Sequence, residues 1–185
     1  FDVGAINNFL NRFLPAGFYY KTFMWPRSFW YRIYEPFIRR AAGFGKASIK
    51  HDKERYEHKY EYCDLLVTGS GPSGLASAYA AAKNGAKVIL AEDKPRFGGS
   101  LLTSDVNIGN QDGKEWADNI IAEMKDMRNV VLKNRAQVFG YYDHNMLVMA
   151  ERLSDHLPET KKYKPKQRLW YIRAKEVIIS SGSIE

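Results

Sequence analysis

The sequence predicts an α/β fold built on a parallel sheet, and three observations along one stretch of the chain predict it. A short apolar run at 65–67 is followed by a glycine-rich turn at 69–74. An alanine-rich stretch, 75–83, has the composition of a helix. A second apolar run at 88–91 leads into the acid Glu92. Strand, glycine turn, helix, strand and acid in this order are typical of a βαβ unit that binds a dinucleotide.

The glycine turn predicts where a pyrophosphate binds. Gly69 permits a tight turn out of the strand, Gly71 lets the backbone lie against the phosphates, and Gly74 lets the helix approach the sheet. Pro72 suits the first helical turn, where a missing N–H removes no hydrogen bond. The helix N-terminus then directs free N–H groups and the positive end of its dipole at the anion. We therefore assign Gly69, Gly71, Pro72, Ser73 and Gly74 to the cofactor site.

Glu92 is the candidate ligand of a ribose. At the end of the second strand, its carboxylate can accept hydrogen bonds from both hydroxyls of an adenosine ribose. A carboxylate would repel a 2′-phosphate, so NAD or FAD is favoured over NADP. Asp93 is the neighbouring candidate, although the spacing fits Glu92 better. The alternative is a plain glycine-rich turn followed by an incidental surface acid.

Two further segments are predicted to reach the cofactor. The second glycine cluster, 96–102, lies in the loop after the second strand, which often passes close to the cofactor in folds of this class. Its Gly99 allows backbone approach and its Ser100 offers a hydroxyl, with a plain turn as the alternative. The short apolar stretch 136–139, which contains Val138, can pass its backbone beside an adenine ring.

The remainder of the chain completes the fold prediction. A helix is predicted over 114–127, because Trp116, Ile120, Met124 and Met127 share one face. Strands are predicted at 129–132, at 138–142 and 146–150 around a turn at 143–145, and at 168–173 and 177–180. A Rossmann-like dinucleotide-binding domain of the FAD/NAD(P) two-dinucleotide type contains such an antiparallel β-meander between parallel strands.

Two parts are predicted: an aromatic-rich N-terminal extension and linker, 1–62, and a dinucleotide-binding domain, 63–185, truncated at its C-terminus. The polar stretch 47–62 indicates a linker or an exposed helix. Within the aromatic segment 13–37 we expect a short helix with one apolar face, bent or broken at Pro36. It would dock on this domain, a neighbouring domain or another subunit, or lie on a membrane surface. The ends of the chain suggest a piece of a longer protein.

The composition disfavours several functions. The net charge is +7, from 28 Lys and Arg against 21 Asp and Glu, which is a mild bias rather than a nucleic-acid signature. The densest basic tract, 161–166, indicates a solvated loop. A single cysteine, Cys63, excludes an internal disulfide and fits a reducing compartment, so we expect the cytoplasm. The histidines show no metal-ligand spacing, and neither a signal peptide nor an apolar run of about 18 residues is visible, so no transmembrane helix is expected and a membrane is not among the predicted partners.

Several longer stretches resemble one family, the alpha subunits of heterotetrameric sarcosine oxidases. They span nearly the whole chain: FDVGA (1–5), PAGFYYKTFMWP (15–26), YEP (34–36), IRRAAG (38–43), FGGSLL (97–102), VFGYYDHN (138–145) and QRLW (167–170). The stretch 138–145 is the most specific of them. Thr68 departs from the family, which has a small apolar residue there. The turn 180–182 departs too, because it reads Ser-Ser-Gly where an Ala-Thr-Gly-like turn is common.

The resemblance implies oxidative demethylation of sarcosine to glycine, with hydrogen peroxide formed and one carbon passed to tetrahydrofolate. It implies beta, gamma and delta partner subunits, amine oxidation at FAD in the beta subunit, and FMN at the alpha–beta interface. NAD is the implied occupant of the dinucleotide site in the alpha subunit. Beyond the residues assigned above, the family's site positions correspond to Gly99, Ser100, Leu101, Val138, Ser181 and Gly182.

No catalytic acid, base or nucleophile is identified in the chain. The pairs Asp143 with His144 and Asp155 with His156 are interpreted as structural side chains in turns. Two alternatives stay open beside an NAD-binding oxidase subunit. One is an FAD-binding domain of another amine or amino-acid dehydrogenase, whose glycine spacing would be the same. The other is a non-catalytic assembly module built on a nucleotide fold.

Overall fold

The computed structural model describes residues 25–45, 49–157 and 164–182. The chain divides into two units, Phe1–Asp52 and Lys53–Glu185. Within the described ranges, no helix is both long enough and apolar enough to cross a bilayer.

The described part of the first unit is a short helical segment. A 3₁₀ turn, Arg27–Phe29, leads into a π-helical turn, Trp30–Tyr34, and then into helix α1, Glu35–Ala41. The sequence predicts a bend or break at Pro36. The segment stays helical on both sides of Pro36, so it is not broken there, and it changes from π to α geometry at Glu35. The bend stays a prediction.

Large apolar side chains of this helical segment are exposed to solvent. Trp25 is 80% exposed, Tyr31 is 82% exposed and Phe37 is 72% exposed. Residues 13–24 of the aromatic segment lie outside the described part of the chain. Docking of the segment on a domain or partner therefore stays a prediction.

In its described residues the second unit is built on a mixed six-stranded sheet with two α-helices. Its strands are β1 Tyr56–Thr68, β2 Val88–Ala91, β5 Val130–Lys133, β6 Ala136–Tyr142, β7 Met146–Arg152 and β8 Gln167–Ile179, and β3 Asn107–Ile108 and β4 Gln111–Asp112 form a separate pair. The helices are α2 Pro72–Lys83 and α3 Gly113–Asp126. Strand order in the sheet is β5-β2-β1-β8-β7-β6.

The first four strands in that order are parallel, and β6, β7 and β8 form the predicted antiparallel meander. The two strands predicted at 168–173 and 177–180 are one continuous strand, β8, which ends at Ile179. The polar pair Lys175 and Glu176 interrupts the apolar pattern, but the backbone stays paired to β1 across it. Strand β8 therefore belongs to both the meander and the parallel sheet.

Strand β1 begins earlier than the sequence predicts. Residues 47–62 were expected to form a linker or an exposed helix, yet pairing with β8 begins at Tyr56 and Gln167. The predicted boundary between residues 62 and 63 therefore falls inside a strand. The physical reason is that a partner more than a hundred residues away supplies the backbone hydrogen bonds, which no local pattern records.

Two apolar clusters hold this unit together. One packs α2 and α3 against the parallel strands, with Leu75, Leu90 and Met124 fully buried. The predicted face of α3 is confirmed, because Ile120 and Met124 are buried and Trp116 and Met127 pack against the same cluster. The second cluster joins the parallel strands to the meander, through Cys63, Leu66, Ile89, Met149, Trp170 and Ile172. The carboxyl ends of β1, β2 and β8 are thereby fixed side by side.

A candidate dinucleotide cleft at the carboxyl ends of the parallel strands

An open cleft of about 910 Å³ lies where β1, β2 and β8 end and α2 begins. The chain leaves β1 toward β2 on one side and returns through β8 on the other, so the cleft lies at a topological switch point of the sheet, where such folds bind ligands. Most of the predicted residues line it: Gly69, Gly71, Pro72, Ser73, Glu92, Asp93, Gly99, Ser100, Val138, Ser181 and Gly182.

The three glycines of the first loop differ in what surrounds them. Gly69 has a φ of +94°, and a Cβ there would overlap the carbonyl oxygen of Ser180. A Cβ on Gly74 would overlap the carbonyl oxygen of Gly69. A Cβ on Gly71, in contrast, would meet nothing within 4 Å. The outer glycines are therefore required by the protein's own packing, whereas the middle one leaves room for a ligand in the cleft.

The N-terminus of α2 faces this room. Gly71 is the N-cap residue and Pro72 follows it, and no side chain of the described residues caps the helix. The first intrahelical bond runs from Leu75 N–H to the Gly71 carbonyl, 2.9 Å. The N–H groups of the first turn before Leu75 therefore have no intrahelical acceptor. Together with the helix dipole, they form an environment suited to an anion.

Glu92 lies in the wall of the cleft and is only 6% exposed. Its Oε2 accepts hydrogen bonds from the backbone N–H of Ser70, 2.9 Å, and from the Ser70 hydroxyl, 2.5 Å. Its Oε1 accepts one from the backbone N–H of Lys94, 2.9 Å. The carboxylate is thus held against the glycine loop by its own neighbours.

The second glycine loop packs directly on the first. Gly99 has a φ of +54°, and a Cβ on it would lie 2.8 Å from the Cα of Gly71. The backbone N–H of Gly98 donates to both the carbonyl and the hydroxyl of Ser70, each at 3.1 Å. Ser100 follows in the same loop and lines the cleft. The second loop is therefore held against the first by backbone contacts, and its contact with the cofactor stays a prediction.

Two predicted site residues do not line the cleft. Leu101 is 3% exposed and packs in the cluster under α2 and α3, because it is the apolar residue of a short 3₁₀ turn, Gly99–Leu102. Gly74 lies within α2, beneath Gly69. Both residues support the loops that form the cleft, and neither is part of its surface.

The cleft also contains residues that the sequence reasoning missed, namely Thr68, Ser70, Ala91, Lys94, Ala136, Gln137, Ile179 and Ser180. Ser70 and Lys94 adjoin predicted residues, so their position in the motif was a usable signal. Ser180 reaches the site because its N–H donates to the Thr68 carbonyl, 2.8 Å. That pairing joins distant parts of the chain and leaves no local signal.

Charges at the rim surround the Glu92 side of the cleft. The pKa of the Asp93 carboxyl lies below its ordinary value, first through its interaction with the Glu92 side chain and then through Lys94. The Lys94 Nζ lies 3.3 Å from Asp93 Oδ2. Arg152 anchors this turn by donating to the Asp93 carbonyl, 2.8 Å. The Glu92 side chain and the nearby cations therefore favour the ionised form of Asp93.

The other polar pairs considered from the sequence lie away from this cleft. His144, with a φ of +59°, forms part of the turn between β6 and β7. His156 Nδ1 lies 3.6 Å from Asp155 Oδ1 near the end of β7. Burial raises the pKa of the Cys63 thiol to about 12, so it stays protonated. Across residues 25–45, 49–157 and 164–182, no group of His, Cys, Asp and Glu could hold a metal ion.

Comparison with known proteins agrees with this geometry. Residues 64–161 match a model of the FAD dependent oxidoreductase family. Over its whole length the chain is 45% identical to the sarcosine oxidase subunit alpha of Rhizobium meliloti (strain 1021), and it spans 19% of that protein. It is 34% identical, over 78% of the chain, to the subunit of the same name from Corynebacterium sp. (strain U-96), of which it spans 15%. The resemblance found in the sequence is thereby confirmed.

A solved structure supports the fold independently. The L-proline dehydrogenase of P. horikoshii superimposes with a TM-score of 0.54 at 17% identity, over 76% of this chain and 26% of that one. At this level of identity the likeness concerns the fold alone. A Rossmann-like parallel sheet, a β-meander and the family match over more than half of the chain lead to one assignment: the chain belongs to the FAD dependent oxidoreductase family.

Proposed function

We propose that the cleft binds an adenine dinucleotide by its adenosine diphosphate portion, and that the dinucleotide is NAD. One observation carries the proposal: the space in front of Gly71 is open, at the uncapped N-terminus of α2. No feature of the protein's own packing requires a glycine there. A side chain at this position would extend into the cleft where an anion is best stabilised.

Different residues of the chain would contact the pyrophosphate, the ribose and the adenine of the adenosine diphosphate portion. The backbone of Gly71, Ser73 and Gly99 would face the pyrophosphate, with Ser100 and the turn at 181–182 nearby. Glu92 would accept from the ribose, and the backbone beside Val138 would lie along the adenine. When bound, NAD could support hydride chemistry. The residues described here bind and orient it, and none is assigned a proton-transfer step.

FAD is the second candidate occupant, and the family match favours it. The walls of the cleft serve the adenosine diphosphate portion, which NAD and FAD share. The assignment to NAD therefore rests on the resemblance to sarcosine oxidase alpha subunits, to which the chain is 45% identical. A different part of the full-length protein would contact the portion in which the two dinucleotides differ.

The variant Gly71→Val tests the site and identifies its occupant in one experiment. Its side chain would fill the pyrophosphate position, so we expect binding to fall by about 100-fold or more, a cost of about 2.7 kcal/mol. The full-length complex is purified with and without the substitution, and the nucleotides released by denaturation are identified by chromatography and mass spectrometry. Selective loss of NAD supports the proposal, whereas selective loss of FAD supports the second candidate. Unchanged content of both would contradict a dinucleotide at this cleft.

We further propose that the full-length protein is the alpha subunit of a heterotetrameric flavoprotein complex with beta, gamma and delta partners. Its reaction would be the oxidative demethylation of sarcosine to glycine, producing hydrogen peroxide and methylene-tetrahydrofolate, with FMN and FAD bound elsewhere in the complex. The identity to subunits of that name supports this. We place the complex in the cytoplasm, and cell fractionation checks this location. Peroxide formation from sarcosine, dimethylglycine and proline by the purified complex tests the amine.

A further inference from the structure

Ser70 joins three segments of the cleft through one buried hydroxyl. The side chain is fully buried. The hydroxyl donates to Glu92 Oε2, 2.5 Å, and accepts from the Gly98 N–H, 3.1 Å. Such a chain of hydrogen bonds strengthens each member and limits the movement of the carboxylate. No sequence motif predicts a role for this residue.

We propose that Ser70 is a positioning residue. It fixes the Glu92 carboxylate so that Oε1 accepts a hydrogen bond from a single hydroxyl of the ribose. This inference rests on the proposed binding of an adenine dinucleotide. Ser70 does not itself contact the ribose in this scheme. It acts through Glu92, and it thereby sets how the site distinguishes nucleotides that differ in their ribose hydroxyls.

The number of hydrogen bonds that the Glu92 carboxylate can still accept supports contact with a single ribose hydroxyl. Each carboxylate oxygen offers about two acceptor positions. Oε2 already accepts from both the N–H and the hydroxyl of Ser70. Among the described residues Oε1 accepts the N–H of Lys94, which leaves one of its two positions. Asp93 lies next to Glu92, but an ionised carboxylate has no proton to donate to it. The sequence-based expectation of two ribose hydroxyls is therefore reduced to one.

The hydroxyl of Ser70 can be removed without leaving the neighbouring N–H groups without an acceptor. The Gly98 N–H also donates to the Ser70 carbonyl, 3.1 Å, and keeps that acceptor in Ser70→Ala. The Ser70 N–H likewise keeps its bond to Glu92. The substitution therefore acts on the orientation of the carboxylate. Ser154→Ala is the matched control, because Ser154 is equally buried, donates to the Pro165 carbonyl at 3.0 Å and does not line the cleft.

The experiment measures calorimetric affinities of the full-length protein, freed of bound nucleotide, for ADP and its 2′-deoxy, 3′-deoxy and 2′,3′-dideoxy analogues. A hydrogen bond to a charged group corresponds to roughly tenfold or more in affinity. For the natural protein we expect one monodeoxy analogue to bind about tenfold more weakly than ADP, as the dideoxy analogue does. The other monodeoxy analogue should stay within about threefold of ADP.

In Ser70→Ala, affinity for ADP should fall about fivefold while affinity for dideoxy-ADP stays within about twofold, because only the ribose contact is disturbed. Ser154→Ala should change neither affinity. Equal losses for both ligands in Ser70→Ala would show a merely structural role and overturn the inference. Comparable losses for both monodeoxy analogues in the natural protein would do the same.

Two further outcomes are separable. If Ser70→Ala does not fold, Ser70→Cys carries the same comparison, since a thiol fills the space of the hydroxyl but is only a weak hydrogen-bond donor. If the natural protein binds ADP but does not discriminate among the analogues, the inference fails and the proposed function stands. If it binds no ADP at all, both fail.

Discussion

The two halves of β1 lie in opposite environments although they form one strand. The inner half, 65–68, lies between β2 and β8, its apolar side chains are buried, and it ends at the cleft. The outer half, 56–62, pairs with β8 alone and is largely exposed, with Tyr60 at 80%. The inner half is therefore specified by burial and the outer half by backbone pairing. The candidate cleft lies at the end of the half whose position burial fixes.

The largest expected difference between the two halves comes from shortening one side chain in each half to alanine. Leu66 is fully buried in the cluster between sheet and meander, so Leu66→Ala should lower the free energy of unfolding by about 3 kcal/mol through lost burial and a cavity. Tyr60 stacks on Tyr171 at 5.1 Å but is mostly exposed, so Tyr60→Ala should cost less than about 1 kcal/mol. Urea unfolding of the full-length protein measures both.

The denaturant slopes of the two variants serve as the control, because an altered slope would signal a changed unfolded state rather than lost packing. Equal losses in the two variants would mean that the exposed aromatic pair contributes as much as the core, and the contrast between the halves would be lost.

A second pair of variants sharpens the contrast at the point where the inner half enters the site. Gly71→Ala and Gly74→Ala add the same methyl group three residues apart. On Gly74 the Cβ would overlap the Gly69 carbonyl, so we expect a loss of about 2 kcal/mol. On Gly71 it would meet open space, so stability should change by less than about 0.5 kcal/mol. Urea unfolding in the absence of nucleotide distinguishes them.

The reverse pattern, with Gly71→Ala the more destabilising, would show that the room in front of Gly71 belongs to the protein's own packing. It would remove the observation that carries the proposed function. Equal small effects would instead show that α2 can shift away from the Gly69 carbonyl at little cost.

The inner half and the site around it could be predicted because their determinants are local. The glycine spacing at 69–74, with the contact between Gly74 and Gly69, lies within one short segment, and Glu92 follows its strand directly. The contact of Gly69 with Ser180 is the exception, because it joins distant parts of the chain. The outer half could not be predicted, since the partner of Tyr56 is Gln167 and its own segment is polar. The same reason hides Ser180, which reaches the cleft by pairing with Thr68.

Leu101 shows a different failure. Its place in the second glycine loop suggested a ligand contact, but the loop turns as a short 3₁₀ segment that directs this apolar side chain into the core. Ser70 was overlooked although it lies between two predicted glycines, because its position in the motif does not show which groups its side chain contacts. Its hydrogen bonds to Glu92 and Gly98 become visible only in the fold.

The smallest expected effect concerns a charge pair in the outer half. Arg168 lies 2.9 Å from the Glu57 carboxylate and also 3.4 Å from Glu151 Oε2. In Glu57→Gln, Arg168 keeps its ion pair with Glu151, and the Glu57 side chain is 38% exposed. The free energy of unfolding should therefore fall by about 0.5 kcal/mol. Salt screens exposed pairs, and the difference from the natural protein should shrink further at 1 M salt.

Urea unfolding at low and high salt measures this difference. Because β1 and β8 stay joined by backbone hydrogen bonds from Tyr56 to Cys63, losing one ion pair should leave their register unchanged. Hydrogen exchange at these amides would then remain as slow as in the natural protein. A loss above about 1.5 kcal/mol, with exchange accelerated along the outer half, would mean that side-chain charge and not backbone pairing holds the two strands together there.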